Sequence, residues 1–283
     1  MLYRFPRFPG GRDKAFTASY DDNRTFDEPM LEIMDRYGIK CTLNLNDAFL
    51  EQPGRMPVEK TRSMVDAGGH EIAQHCDHHI APGLASPCTV MREVLEGRQM
   101  LERRFDRIIR GMAYPDSGIR EIGLGITYDT IRRILEDAGV AYCRSLGGDN
   151  NRFRLPTDWY NWIPTAHHSH PQLLEWIDQF LSADLSRNPS KGQAPLLFYL
   201  WGHSYEFDMQ HNWDHLEEIC RRVGGHEEVW YATNIEIYDY LTAYHALIFS
   251  VDETMVYNPG RVPVWFVADK APYCVQPGEQ MKL

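Results

Sequence analysis

Short apolar runs alternate along the chain with longer amphipathic ones. The brief runs are AFTASY (15–20), KCTLNL (40–45), HEIAQH (70–75), IRGMAY (109–114), VAYCRS (140–145), NWIPTA (161–166) and PLLFYLW (195–201). Each is bounded by Gly, Pro or Asp, the pattern of strands buried in a parallel sheet. Between them lie EPMLEIMDRY (28–37), VEKTRSMVDA (58–67), TVMREVLEGRQMLERRF (89–105), DTIRRILEDA (129–138), QLLEWIDQFL (172–181) and NWDHLEEICRRV (212–223). In the fourth of these, Ile131, Ile134, Leu135 and Ala138 fall on one helical face. Gly38, Gly68 and Gly139 stand where helices should stop.

A strand–helix alternation repeated about six times predicts a parallel sheet with crossover helices. The expected fold is α/β, a distorted (β/α) barrel of six or seven parallel strands, with active residues at the C-terminal strand ends. An open doubly wound sheet is the alternative, but no GxGxxG follows the first strand, so a dinucleotide site is not expected. After about residue 247 the pattern changes to short strand-like segments with Pro/Gly turns. The chain thus divides into a barrel over 1–250 and a small C-terminal β appendage over 251–283, packed on the barrel. No internal repeat or low-complexity tract interrupts it.

The chain has 283 residues, 43% of them hydrophobic, enough for a sizeable core. Its formal net charge of −11 disfavours nucleic acid and anionic membranes as partners. No run approaches the roughly 20 apolar residues of a membrane span. MLYRFPRFPGGRDKAF lacks a signal-peptide core, so a cytoplasmic protein is expected unless a signal has been removed. The six cysteines (Cys41, Cys76, Cys88, Cys143, Cys220 and Cys274) form no CxxC pattern and read as buried free thiols.

Three clusters at predicted strand ends carry chemistry. Ser19-Tyr20-Asp21-Asp22-Asn23 offers two adjacent carboxylates, able to divide metal binding from proton transfer, or simply to end a strand in a turn. His75-Cys76-Asp77-His78-His79 places two imidazoles within reach of one ion if the backbone turns tightly. His211 and His215 repeat that spacing at the start of a helix and read as a solvated face. His167-His168-Ser169-His170 reads as a surface turn or substrate rim. Leu200-Trp201-Gly202-His203 ends a very apolar strand, with His203 placed either for proton transfer or as a core histidine.

Taken in order, these blocks resemble the polysaccharide deacetylases, the NodB-homology group of carbohydrate esterases. Ser19-Tyr20-Asp21-Asp22-Asn23 matches the family's T-F-D-D-G strand end, GIKCTLNLN (38–46) its ATFF-like strand, and Gly69-His70-Glu71-Ile72-Ala73-Gln74-His75-Cys76-Asp77-His78-His79 its GHEIGNH-S/T-x-x-H block. Leu200 to His203 matches the late L-x-x-H. WGHSYEF and VWYATNIEIYDY resemble segments of one branch, and the similarity spans roughly residues 12–245. The resemblance implies that Asp22, His75 and His79 hold one divalent ion, usually zinc, that Asp21 is the general base and that His203 is the general acid.

Departures accompany these matches. Asn23 stands in place of Gly, and Cys76 in place of Ser or Thr. The family's R-P-P-Y-G motif has two registers here. In one, Arg110 and Tyr114 align; in the other, Ala113-Tyr114-Pro115 precedes Asp116 and the arginine that steadies the base is missing. Asp158-Trp159 looks like the family's Asp-Trp pair, without its arginine. Tyr114, Asp116, Asp158, Trp159 and Arg110 are therefore candidate supporting residues. The expected function is metal-dependent removal of acetyl groups from an acetylated sugar or polysaccharide. A C–N hydrolase on a non-sugar amide and a non-catalytic carbohydrate-binding protein are the alternatives.

Overall fold

A computed structural model describes residues 3–123, 125–147, 153–185 and 194–283. In chain order the strands and helices are β1 (Arg4–Arg7), β2 (Lys14–Asp21), α1 (Asp27–Arg36), β3 (Cys41–Leu45), α2 (Val58–Gly68), β4 (Glu71–Gln74), α3 (Pro87–Phe105), β5 (Gly111–Ala113), α4 (Tyr128–Asp137) and β6 (Tyr142–Arg144). They continue with β7 (Ala166–His167), α5 (Leu173–Ser182), β8 (Leu196–Gly202), α6 (Ser204–Met209), α7 (Trp213–Val223), β9 (Val229–Tyr231) and α8 (Asn234–His245). The C-terminal strands are β10 (Ile248–Phe249), β11 (Met255–Tyr257), β12 (Val264–Ala268), β13 (Ala271–Val275) and β14 (Gln280–Lys282).

The central sheet runs β6-β5-β4-β3-β2-β8-β7, with β9 also paired to β2, and every pairing in it is parallel. The expected α/β barrel of parallel strands is what the chain forms. The NWIPTA run is the one predicted strand that is mostly irregular, since only its last residue enters β7. It still spans the sheet's two edges: Trp162 N–H donates to Cys143 O at 3.1 Å, and Thr165 N–H to Tyr199 O at 2.8 Å.

All eight residues of β2 are buried, and the strand's two-residue period sorts them. Phe16, Ala18 and Tyr20 join the core beneath α1, α5 and α7, with Leu31, Met34, Ile177, Phe198 and Leu216. Thr17, Ser19 and Asp21 face the other way and find polar partners. Thr17 donates to Asn234, Ser19 shares a hydrogen bond with Tyr199, and Asp21 meets Asn44 and Arg144. The barrel interior is thus a hydrogen-bonded polar column ending at Asp21.

The sequence analysis proposed no helix at α8, where Ile235, Ile237 and Tyr238 break the regular helical spacing. Its start is nevertheless marked by a capping box, in which Thr233 Oγ1 accepts from the Glu236 N–H and Glu236 accepts from the Thr233 N–H. The C-terminal segment forms antiparallel strands outside the barrel, in the orders β1-β12-β13 and β10-β11-β14. Strand β1 comes from the other end of the chain, so the N-terminus completes one of these sheets. Val256, Val264, Phe266 and Val275 form their shared core. Among the described residues no helix is long and apolar enough to cross a membrane.

Candidate active site

Asp21, Asp22, His75, His79 and His203 converge where β2, β4 and β8 end. With Tyr114, Asp116, Leu146, Trp201 and Tyr205 they line a cavity of about 300 Å³. The backbone turns sharply in the loops after β2 and β4: Asp22, Asn23, Cys76 and His79 all have positive φ, at 83°, 48°, 55° and 57°. Such φ values are costly for most side chains and are tolerated best by Gly and Asn. This explains how Asn23 replaces the family's glycine. Its side chain also ties the loop down, donating to Met56 O and accepting from Thr61. Cys76 offers no bracing hydroxyl, but Asn46 donates to the carbonyls of His75 and Cys76.

One oxygen or nitrogen from each of Asp22, His75 and His79 lies within 4.8 Å of the others. His79 Nε2 is 3.8 Å from Asp22 Oδ1. His75 Nδ1 is 2.9 Å from the Ala113 carbonyl, which fixes the proton on Nδ1 and leaves Nε2 free as a donor atom. His79 Nδ1 points toward Asp116 at 3.6 Å. Burial lowers the His75 pKa against the pull of Asp21, favouring the neutral imidazole that ligation requires. One carboxylate and two oriented imidazoles suit a zinc-like ion.

Asp21 sits beside that group rather than within it. Its Oδ2 lies 3.8 Å from His75 Nε2 and 3.8 Å from His203 Nε2. Arg144, from the end of β6, reaches the same oxygen at 2.5 Å, and Asn44 donates to the other at 2.8 Å. Burial pushes the Asp21 carboxyl up, but Arg144, His75, His203 and Asn44 together hold it below the usual aspartate value. Arg144 is fully buried, and its guanidinium lies 4.5 Å over the Trp201 ring. An arginine does steady Asp21, then, and it comes from the strand after the one where the sequence motif places it. The only signal was a charged residue inside the apolar run VAYCRS.

Glu206 is the second residue the sequence analysis missed. Its carboxylate meets three histidines: His203 Nδ1 at 3.1 Å, His167 Nε2 at 3.2 Å and His168 Nε2 at 2.9 Å. His167, His203 and Glu206 also satisfy the distance criterion for an ion-binding group. The Ser169 N–H, however, points at His167 Nδ1 (3.2 Å), so in the neutral ring the proton sits on Nε2, facing Glu206. That favours a charge-paired histidine cluster around Glu206, in which the hydrogen bond is the one between His203 Nδ1 and Glu206 Oε1. Burial raises the Glu206 pKa, but the three histidines more than reverse this and keep the group ionised. Burial works to lower the His203 pKa; Glu206 and Asp21 outweigh it and hold it above the usual histidine value. Ring stacking with Phe207 and Tyr20 fixes His168. It also needs Gly202, because a Cβ there would collide with its Nδ1.

The remaining candidates divide. Tyr114 and Asp116 line the cavity, and the Tyr114 hydroxyl donates to Tyr160 O. Asp158 accepts from Tyr128 and the Tyr160 N–H, and Trp159 packs on Trp162 and Tyr238; neither lines the cavity. Arg110 precedes β5, at the opposite end of the barrel, and pairs with Asp239 of α8. His215 binds the His168 carbonyl, outside the cavity.

The chain is thus a parallel (β/α) barrel carrying a carboxylate–imidazole cluster at its strand ends. Residues 10–143 match the family model described as polysaccharide deacetylase. Among curated proteins no sequence matches the chain. The chain is similar in fold to the Xyl-CE4 domain of a multidomain xylanase from the hindgut metagenome of Trinervitermes trinervoides, at 14% identity and a TM-score of 0.50, covering 81% of this chain and 92% of that one. It is also similar to Puue allantoinase, at 15% identity and a TM-score of 0.61, covering 85% and 94%. At such identities the likeness is one of fold.

Proposed function

We propose that this protein is a metal-dependent hydrolase that removes acetyl groups from an acetylated sugar. One observation carries the reading: a three-ligand group and a separate acid–base pair share one cavity, on the motifs of the deacetylase family. Asp22, His75 and His79 would hold the ion, a zinc-like divalent cation, which when bound supplies Lewis acidity and lowers the pKa of water. Asp21, kept ionised by Arg144, takes the proton from the attacking water. His203 gives a proton from Nε2 to the departing oxygen or nitrogen, while Glu206 holds its Nδ1–H. Tyr114, Leu146, Trp201 and Tyr205 wall the acyl group off from bulk water.

A cavity of about 300 Å³ takes one small acylated unit, and this observation supports the second reading, a hydrolase for a small non-sugar amide. The fold does not choose between them, since it is shared with an allantoinase and with a carbohydrate esterase domain. Acetate release from a panel of N- and O-acetylated sugars, set against ammonia or amine release from cyclic and linear amides, separates the two. Both arms should be run with and without chelator. Chelator-sensitive acetate release supports the proposal. Turnover confined to the amides, or no turnover by metal-loaded protein, overturns it.

A further inference from the structure

The chain carries a net charge of −11, yet two arginines are paired next to Asp22 and Tyr205, which line the cavity. Arg24 and Arg55 face each other across an isolated antiparallel bridge, fixed by the Thr25 N–H donating to Gly54 O at 3.0 Å. Like charges directly opposite in such a pair repel, so the arrangement costs stability in the free protein. Arg55 is held in place. It donates to the Asp22 carbonyl, lies 4.0 Å from Asp22 Oδ1 and covers the Phe49 ring. Arg24 lies 5.4 Å over the ring of Tyr205, which lines the cavity beside Asp22 and His203. Among the described residues Arg24 has no ion-pair partner. Among the described residues the one ion-pair partner of Arg55 is Asp22, whose carboxylate would be committed once an ion is bound.

We propose that Arg24 and Arg55, above Tyr205, form a subsite for a carboxylate on the sugar, so that the site selects acidic, uronate-type acetylated sugars over neutral ones. The inference rests on the deacetylase reading of the cavity and names its substrate class. A guanidinium fork matches a carboxylate in geometry and charge, and a bound carboxylate relieves the repulsion between the two arginines. The Tyr205 ring lies 5.4 Å from the Arg24 guanidinium and 5.2 Å from the His203 ring, which links the subsite to the reacting end of the cavity.

The test uses two acetylated methyl glycosides that differ only in a carboxylate or a hydroxymethyl group at C6, with a sulfated analogue as a third. Wild type, Arg24→Gln and Arg24→Lys are compared in kcat and KM. Binding of the deacetylated sugars to metal-stripped wild type is measured by calorimetry. The carboxylate sugar should be preferred in kcat/KM by about tenfold, the size of one charge-assisted contact, and mainly through KM. Arg24→Gln should abolish that preference and Arg24→Lys retain part of it. The preference should persist in calorimetry without metal and weaken with salt. An unchanged preference in Arg24→Gln, or one that vanishes when the metal is stripped, assigns the carboxylate elsewhere and overturns the proposal. A stronger preference for the sulfated sugar would replace the carboxylate by a sulfate ester. If no glycoside is hydrolysed, the deacetylase reading fails, while the calorimetric comparison still decides whether the subsite exists.

Discussion

Replacing Arg144 by methionine should damage stability and chemistry together, and the structure gives the scale of each. The guanidinium and the Asp21 carboxylate are both fully buried and meet at 2.5 Å. Removing one partner of such a pair leaves an uncompensated buried charge, a loss of about 3–5 kcal/mol. For a chain of this size that corresponds to a fall in Tm on the order of 10 °C. The sign with pH follows from Asp21. Its pKa is depressed in the fold, so the stability it contributes is present above the unfolded value and is lost as pH falls through the folded one. The gap between variant and wild type should therefore be widest near neutrality and narrow toward acid. In activity, the Asp21 carboxyl loses the strongest charge holding it down. The acid limb of the rate profile should move to higher pH, with turnover at neutrality reduced by up to about 10²–10⁴-fold. Thermal melts over a pH series and a pH–rate profile on one substrate give both readouts. Arg144→Lys should recover part of the stability but lose the planar stack on Trp201. A methionine variant that melts within 2 °C of wild type and keeps its acid limb would refute the account of how Asp21 is kept ionised.

Other expectations are equally direct. Glu71, buried behind β4, is raised to about 7, chiefly by burial, and accepts from Thr42, Tyr142 and the Ile235 N–H. Its pKa is raised in the fold, so wild type should lose about 3 kcal/mol of stability as pH rises from the unfolded carboxyl value to about 7. Glu71→Gln should remove that slope in denaturant melts, and an unchanged slope would show that the stored cost lies elsewhere. Glu206→Gln should lower the His203 pKa and move the alkaline limb to lower pH; a limb that stays in place would mean that Glu206 does not hold the acid. His203→Ala should slow amide substrates more than activated esters, which need no protonation of the leaving group. Equal losses would return His203 to a structural role.

The sheet and most of its helices were legible because buried parallel strands and amphipathic helices leave periodic patterns, as in AFTASY and DTIRRILEDA. Strand β1 and helix α8 were not. The first is stabilised by pairing with β12, more than 250 residues away, and the second mixes tyrosines and isoleucines on several faces. At the site, the convergence of Asp22, His75 and His79 could be read from motif order, since they lie close to their strand ends. Arg144 could not, because it acts across space on Asp21 of another strand; Glu206 meets His203 only three residues back, and its further contacts to His167 and His168 come from another strand's end. Nothing local in VAYCRS says what the charged side chain will meet. The Arg110 register shows the same limit from the other side: it resembles the motif in sequence, yet its side chain pairs with Asp239 at the far end of the barrel.

The central claim is that the chain divides its two strand-end carboxylates, Asp22 for the ion and Asp21 for the proton. Metal content and acetate release measured side by side in wild type, Asp21→Asn, and the His75→Ala/His79→Ala double variant test it most directly. The account predicts one ion per chain in wild type and in Asp21→Asn, with turnover in the latter down by about 10²–10⁴-fold, and no bound ion in the double variant. An ion retained by the double variant, or full turnover by Asp21→Asn, would contradict it.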